Sequence, residues 1–268
     1  MAAGPTVSFD LLERYLHVTD KAPEEAILSV PLTDLLKKDT MRQLLELGRE
    51  QYKATSMELP ASFLGLSLFS LCGAIHYVSA SNDAWLDVNP DNVNFFLESH
   101  GDHVHTGYQL QEVRLVPLPE SNRDEALKEA YERYFTEHFN VLLLSIAETA
   151  DVKPDMIWSQ YAARLTYMQD FLLENETRPV IRERYIAGHR VLTAALEPDV
   201  FGRRRNPFHH MKPVYLDSPY EPGRQLLMRS SCCMYYKRED GEMCFNCPRM
   251  REEDRERLRQ EKLAARNK

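Results

Sequence analysis

ASFLGLSLFSLCGAIHYVSA, residues 61–80, contains no Asp, Glu, Lys or Arg, and its reading decides the fold. The run just reaches the ~20 residues a helix needs to span a bilayer. Four serines, two glycines and a histidine dilute it, and no Lys or Arg cluster flanks it to set an orientation. The expectation is therefore a helix buried in a protein core, with a transient membrane contact as the second reading.

The rest of the 268-residue chain can supply such a core: 43% of it is hydrophobic and 28% charged, an ordinary globular balance. Net charge is −8, unevenly spread: from Arg249 onward the chain is +3, so the body is −11. An acidic body is a poor partner for nucleic acid, which is held by neutralising phosphates. The opening MAAGPTVSFDLLERY lacks the basic and then apolar regions of a secretory signal, so the expected location is cytoplasmic. In that compartment thiols stay reduced.

On the N-terminal side, SFDLLERYLHV and LTDLLKKDTMRQLLELGREQYKA repeat Leu at helical spacing, with Ser8 and Thr33 as candidate N-caps. On the C-terminal side, NVNFFLES and TGYQLQEVRLVPL predict strands, and the Gly-Asp of HGDHVH between them predicts a hairpin. From Ser121 or Asn122, as cap, the pattern is helical again. The second of three such segments, KPDMIWSQYAARLTYMQDFLLEN, puts Ile157, Tyr161, Leu165, Met168 and Leu172 on one face. A Pro-rich basic segment precedes RQLLMRSSCCMYY, which has strand character. The expected fold is α+β, mostly helical with a small antiparallel sheet and a C-terminal cysteine-rich hairpin. Residues 1–225 form the body, helical to about 60 and α+β thereafter. Residues 226–250 form the hairpin, and residues 251–268 a charged, solvated tail.

Four of the five cysteines crowd into SSCCMYYKREDGEMCFNCPRM, residues 230–250. Cys232-Cys233 are followed after ten residues by Cys244 and after two more by Cys247. Asp240-Gly241 between the pairs is a hairpin signal, and folding there would make the pairs face each other. Four thiolates suit zinc or an iron–sulfur cluster. Adjacent cysteines in extended backbone leave on opposite faces, which is awkward for one zinc ion and easier for a larger two-iron cluster. The apolar jacket of Met234, Tyr235, Tyr236, Met243 and Phe245 would limit water access, as redox centres require. A zinc ribbon stays open on spacing alone.

The C-C-x10-C-x2-C pattern near the C-terminus resembles the signature of the FhuF-type ferric siderophore reductases. Upstream, MIWSQYAARLTYMQDFL and LDVNPDNVNFFLES resemble segments of the same family, so the likeness extends over about residues 61–248. The resemblance implies a [2Fe-2S] cluster with Cys232, Cys233, Cys244 and Cys247 as its ligands and as the redox-active residues. It implies an oxidoreductase that reduces Fe(III)-siderophore by one electron and so releases Fe(II). No G-x-G-x-x-G follows a strand and no flavin motif is visible, so a separate donor is expected: a ferredoxin, flavodoxin or reductase. The basic stretch Arg203, Arg204, Arg205, His209, His210 and Lys212 is the candidate substrate-binding surface, set against a plain solvated loop. Two other functions remain: a zinc-ribbon interaction protein without redox activity, and an iron–sulfur electron carrier or sensor. Cys72 and Trp158 are expected in the core, and His100, His103 and His105 in a polar turn.

Overall fold

The apolar run is helix, and it lies inside the protein. In the computed structural model, which describes residues 7–100 and 103–266, residues 71–80 are buried without exception. The helical stretch Glu58–Ser81 is long and apolar enough to cross a membrane by length and composition, and 83% of its most apolar window is buried by the rest of the chain.

Around this axis the chain builds a mixed structure of helices and small sheets. The first helical turns end at Leu16, and two strands follow, β1 (Val18–Thr19) and β2 (Ala26–Pro31), before helix α1 (Lys38–Gln51). The axis itself is α2 (Glu58–Ser67) and α3 (Phe69–Ser81). Then come β3 (Ala84–Leu86), β4 (Val93–His100), β5 (His103–Leu110) and β6 (Leu115–Pro117). The helical half comprises α4 (Arg123–Tyr134), α5 (Asn140–Thr149), α6 (Pro154–Trp158), α7 (Tyr161–Asn175) and α8 (Pro179–Arg190). β7 (Tyr215–Asp217), β8 (Gln225–Leu227) and α9 (Glu252–Arg266) complete the described chain.

The principal sheet has the order β1-β5-β4-β2, antiparallel except for the parallel β1–β5 pair. β4 and β5 form the expected hairpin, in register from Val93↔Leu110 to His100↔His103; its Gly-Asp turn lies outside the described residues. Phe95 and Tyr108 sit opposite each other, both fully buried, and carry the sheet's inner face onto the core. β3 pairs with β6 and β7 with β8 as separate ribbons.

The helical half is bound by aromatic packing. Phe135 and Phe139, on a π-helical turn between α4 and α5, meet Trp158, Tyr161, Phe201 and Phe208 with centroids 4.9–6.4 Å apart. Edge-on and tilted contacts of this kind add to the area buried. They fix the short break at Ser159-Gln160 where α6 becomes α7, the point on which the cysteine loop rests.

Several local expectations differ. β1 and β2 occupy part of the expected all-helical first sixty residues. Ser8 bonds Asp10 rather than capping, and Thr33 lies within a 3-10 turn, Leu32–Leu36. Asn122 does occupy the N-cap of α4, but in a left-handed conformation without a side-chain bond. Between the cysteine pairs there is no strand ladder: the segment is a 3-10 turn, Tyr235–Lys237, and irregular chain. Asp240, left-handed at φ 54°, does reverse the chain, with Gly241 N–H bonded to Arg238. The flanking residues pair elsewhere, through Ala54↔Arg238, Thr55 N–H to Lys237 and Glu239 N–H to Lys53. The charged helical tail, expected to be solvated, is buried at Arg255 and pairs Arg259 with Asp217.

Candidate metal centre

Met234 breaks the extended path of the cysteine loop. Its left-handed backbone (φ 61°) turns the chain immediately after Cys232-Cys233, a conformation non-glycine residues adopt at a cost. On the other side, Cys244 and Cys247 are joined by a tight turn, Cys247 N–H to Cys244 C=O at 2.9 Å. Cys232, Cys233 and Cys247 are buried and Cys244 is half-buried; all four are free thiols.

The four sulfurs form two facing pairs. Cys232 Sγ and Cys247 Sγ are 3.9 Å apart, and Cys233 is hydrogen-bonded to Cys244. Sharing that proton pulls the Cys233 thiol down and pushes Cys244 up, with burial opposing the first shift and adding to the second. The positive charge of Arg229 lowers both. Burial pushes Cys232 up to about 11, against a backbone N–H from Met234. Cys233 also receives backbone N–H donors, including that of Tyr235. Donors aimed at sulfur stabilise its anionic form and tune any metal it holds.

This donor set fits a two-iron cluster. Each adjacent cysteine takes a different partner from the C-x2-C turn, giving two thiol pairs side by side that would together hold it. A single tetrahedral zinc requires all four sulfurs to converge on one point.

Residues outside the cysteine pattern hold the loop. Ser62 of α2 donates to the Cys233 carbonyl at 2.9 Å and receives a bond from Gln160 at 3.0 Å. Ser230 donates to the Ser159 carbonyl at 2.7 Å and accepts from Ala163 N–H. Arg255 of α9, only 5% exposed, donates to the carbonyls of Phe245, Cys247 and Met250. Phe63 stacks on Tyr235, and Lys237 pairs with Glu58. Of the expected jacket, Phe245 is buried, Met234, Tyr236 and Met243 are half-buried and Tyr235 is more open. Ser62, Gln160, Arg229 and Arg255 escaped the sequence reading; only the Trp-Ser-Gln segment around residues 158–160 gave a signal, through its resemblance.

The candidate substrate residues divide. Arg203, Arg204 and Arg205 line a surface cavity of about 970 Å3 together with Asp155, Ser159 and Asp199. Arg203 is ion-paired to Asp155. His209, His210 and Lys212 lie outside that lining: His210 meets Thr166 at 3.1 Å, His209 meets the Thr193 carbonyl at 3.4 Å, and Lys212 is exposed. Cys72 and Trp158 are buried in the core as expected, and His105 packs edge-on against His17.

Residues 229–249 match the family model of the FhuF 2Fe-2S C-terminal domain. No curated protein matches the chain. The match spans the whole cysteine constellation and begins at Arg229; residues upstream of it, including the α6–α7 segment, lie outside it. The C-terminal segment is thus an iron–sulfur domain of this type, and its cofactor is a [2Fe-2S] cluster.

Proposed function

We propose that the protein is a cytoplasmic ferric siderophore reductase, with Cys232, Cys233, Cys244 and Cys247 as the cluster ligands. The observation that carries this reading is the pair of facing thiol pairs within a segment matching an iron–sulfur domain linked to such reductases. When bound, the cluster supplies one electron at a time.

The residues set the conditions for that transfer. Buried Cys232, Cys233 and Cys247 exclude water from three of the four sulfurs, and half-buried Cys244 marks the edge nearest solvent. A separate ferredoxin, flavodoxin or reductase would supply the electron, and Cys244 would hold the cluster at the edge a chelate can approach. Arg229, whose charge acts on Cys233 and Cys244, stabilises the negative charge that the electron adds. Fe(III) bound by hard oxygen donors becomes Fe(II), for which those donors have less preference, and the metal leaves the chelate.

The test is stoichiometric. The cluster-loaded protein, reduced anaerobically with dithionite and freed of excess reductant, is mixed with a ferric siderophore and a coloured Fe(II) trap. About one Fe(II) per cluster should appear as the cluster is reoxidised, and Cys244→Ser should lose most of the rate. A reduced cluster that persists beside ferric siderophore would remove the proposal.

A further inference from the structure

Beside the cluster loop lies a cavity of about 160 Å3. Gln160, Arg164 and Tyr167 recur at helical spacing along α7 and make one wall. Arg229, Ser231 and Asn246, from the chain around the cysteines, make the other. Arg164 and Tyr167 are exposed, so the cavity opens to solvent between them.

Two guanidiniums line this small space with no carboxylate between them. Among the described residues neither has a side-chain hydrogen bond or ion pair, and Arg229 Nε is buried without a partner. Arg164 stands at the solvent-exposed mouth, near enough to Arg229 for the like charge to act on it. An anion seated between the two relieves that repulsion and meets the unpartnered Arg229 Nε donor. Arg229 has a second duty toward Cys233 and Cys244, whose thiols its charge lowers, whereas Arg164 is not among the groups that chiefly shift them. At the alternative basic surface Arg203 is already ion-paired to Asp155, and Asp199 lines the same cavity.

Size narrows the occupant. Pockets that enclose a whole drug-sized ligand run to about 300–1,000 Å3, so this one accepts a single arm of such a molecule. Acidic side chains of a docking protein meet exposed rim charges more often than concave pockets.

We propose that the Arg164–Arg229 cavity binds a free carboxylate arm of an anionic ferric chelate and so seats the chelated iron beside the Cys244 edge. The proposal rests on the reductase reading and specifies its substrate class: carboxylate-bearing chelates ahead of neutral ones.

Gallium(III) complexes keep the ferric ion's charge and size but accept no electron, so they report binding apart from reduction. Cluster-loaded protein is titrated calorimetrically with anionic gallium(III) rhizoferrin, a carboxylate chelate, and with neutral gallium(III) desferriferrichrome, a hydroxamate. Arg164→Gln should weaken the anionic complex about tenfold, the loss of one charge-assisted contact. It should leave the neutral complex and the cluster's midpoint potential unchanged, and Arg164→Lys should recover most of the affinity. Arg229→Gln should weaken the anionic complex and also lower the midpoint potential, because the added electron loses a neighbouring positive charge. Unchanged affinity for gallium rhizoferrin in either Gln variant overturns the inference, as does an equal loss for both complexes. So does slower cluster reduction by the donor with gallium binding intact, which assigns the cavity to the donor protein. Arg164-dependent gallium binding without any ferric reduction upholds the cavity's ligand and sinks the reductase reading instead.

Discussion

Arg255 sits in a helix whose other residues are mostly solvated, yet it is buried and spends its guanidinium on three carbonyls of the cysteine loop. In the sequence it is one of many charges in residues 251–268, and nothing about its type separates it from Arg257. The trace that was there is Leu258, three residues on and on the same helical face, which marks that face as the docked one. Ser62 is hidden for the same reason: a serine in an apolar run is as readily a diluent as an anchor, and its bond to Cys233 spans 171 residues. The cysteines were legible because their chemistry needs clustering; their supports were not, because a backbone carbonyl accepts from any nearby donor. Arg255→Ala should leave the Phe245 and Met250 carbonyls without a donor, while Cys247 keeps Met250 N–H, and cost about 2–6 kcal/mol, from ~1–3 kcal/mol for each of two unmet groups. The melting temperature should fall and iron should be lost faster to a chelator. Arg255→Lys should recover only part, since an ammonium cannot fork among three acceptors. Iron retention equal to wild type in Arg255→Ala would show that the helix merely lies against the loop.

At the scale of elements, period and length decided what could be read. The face running from α6 into α7 was visible because Ile157, Tyr161, Leu165, Met168 and Leu172 recur at helical spacing; all are buried except Met168, which is half-buried. β2 was missed because its partner is distant in sequence: Ala26–Pro31 is largely exposed, ends on proline and becomes a strand only against β4. The cysteine hairpin was expected from Asp240-Gly241; the turn forms, but residues 53–55 take the backbone bonds that a ladder would have used. The contact between α2 and α6 then aligns Ser62 with Gln160 under Cys233. It depends on Gly65, where an added Cβ would lie 2.4 Å from an Ile157 methyl, and whose carbonyl accepts from Tyr161. Gly65→Ala should force the two helices apart and cost about 1–3 kcal/mol, the usual toll of overpacking. The companion variant Gly65→Ala/Ile157→Ala, which removes the opposing Cγ2 methyl, should be less destabilised in urea unfolding than the two single changes sum to. Losses that add in full would place the strain elsewhere.

The whole molecule is organised by one buried axis, and its cost appears where that axis is polar. His76 of α3 is fully buried, and neither ring nitrogen has a hydrogen-bond partner. Tyr185 of α8 lies 4.0 Å from its ring centroid and His189 6.3 Å, while Arg123 of α4 acts on it from a third direction. Burial first, then the charges of His189 and Arg123, hold its pKa well below the ordinary value. Burial lowers His189 too, with Asp170 opposing. The unfolded chain takes up a proton near pH 6.5 that folded His76 refuses, so acid favours unfolding through this group. Its penalty is absent well above pH 6.5 and grows below it by at most about 1.4 kcal/mol per pH unit. The carboxylate contribution has the same sign but a lower window: Glu176, held at about 2 chiefly by its bonds to Arg178, loses its stabilisation only as pH drops from the ordinary carboxylate value of 4.5 toward 2. The two effects therefore separate in pH. Thermal unfolding between pH 7 and 5 should show a steady loss of stability in the native chain and a flatter profile in His76→Leu, with His189 supplying the residue of the slope. Identical slopes in the two proteins would mean that His76 keeps a proton partner in solution, such as a buried water reaching Tyr131 or Tyr185, whose hydroxyls are also buried and unpartnered.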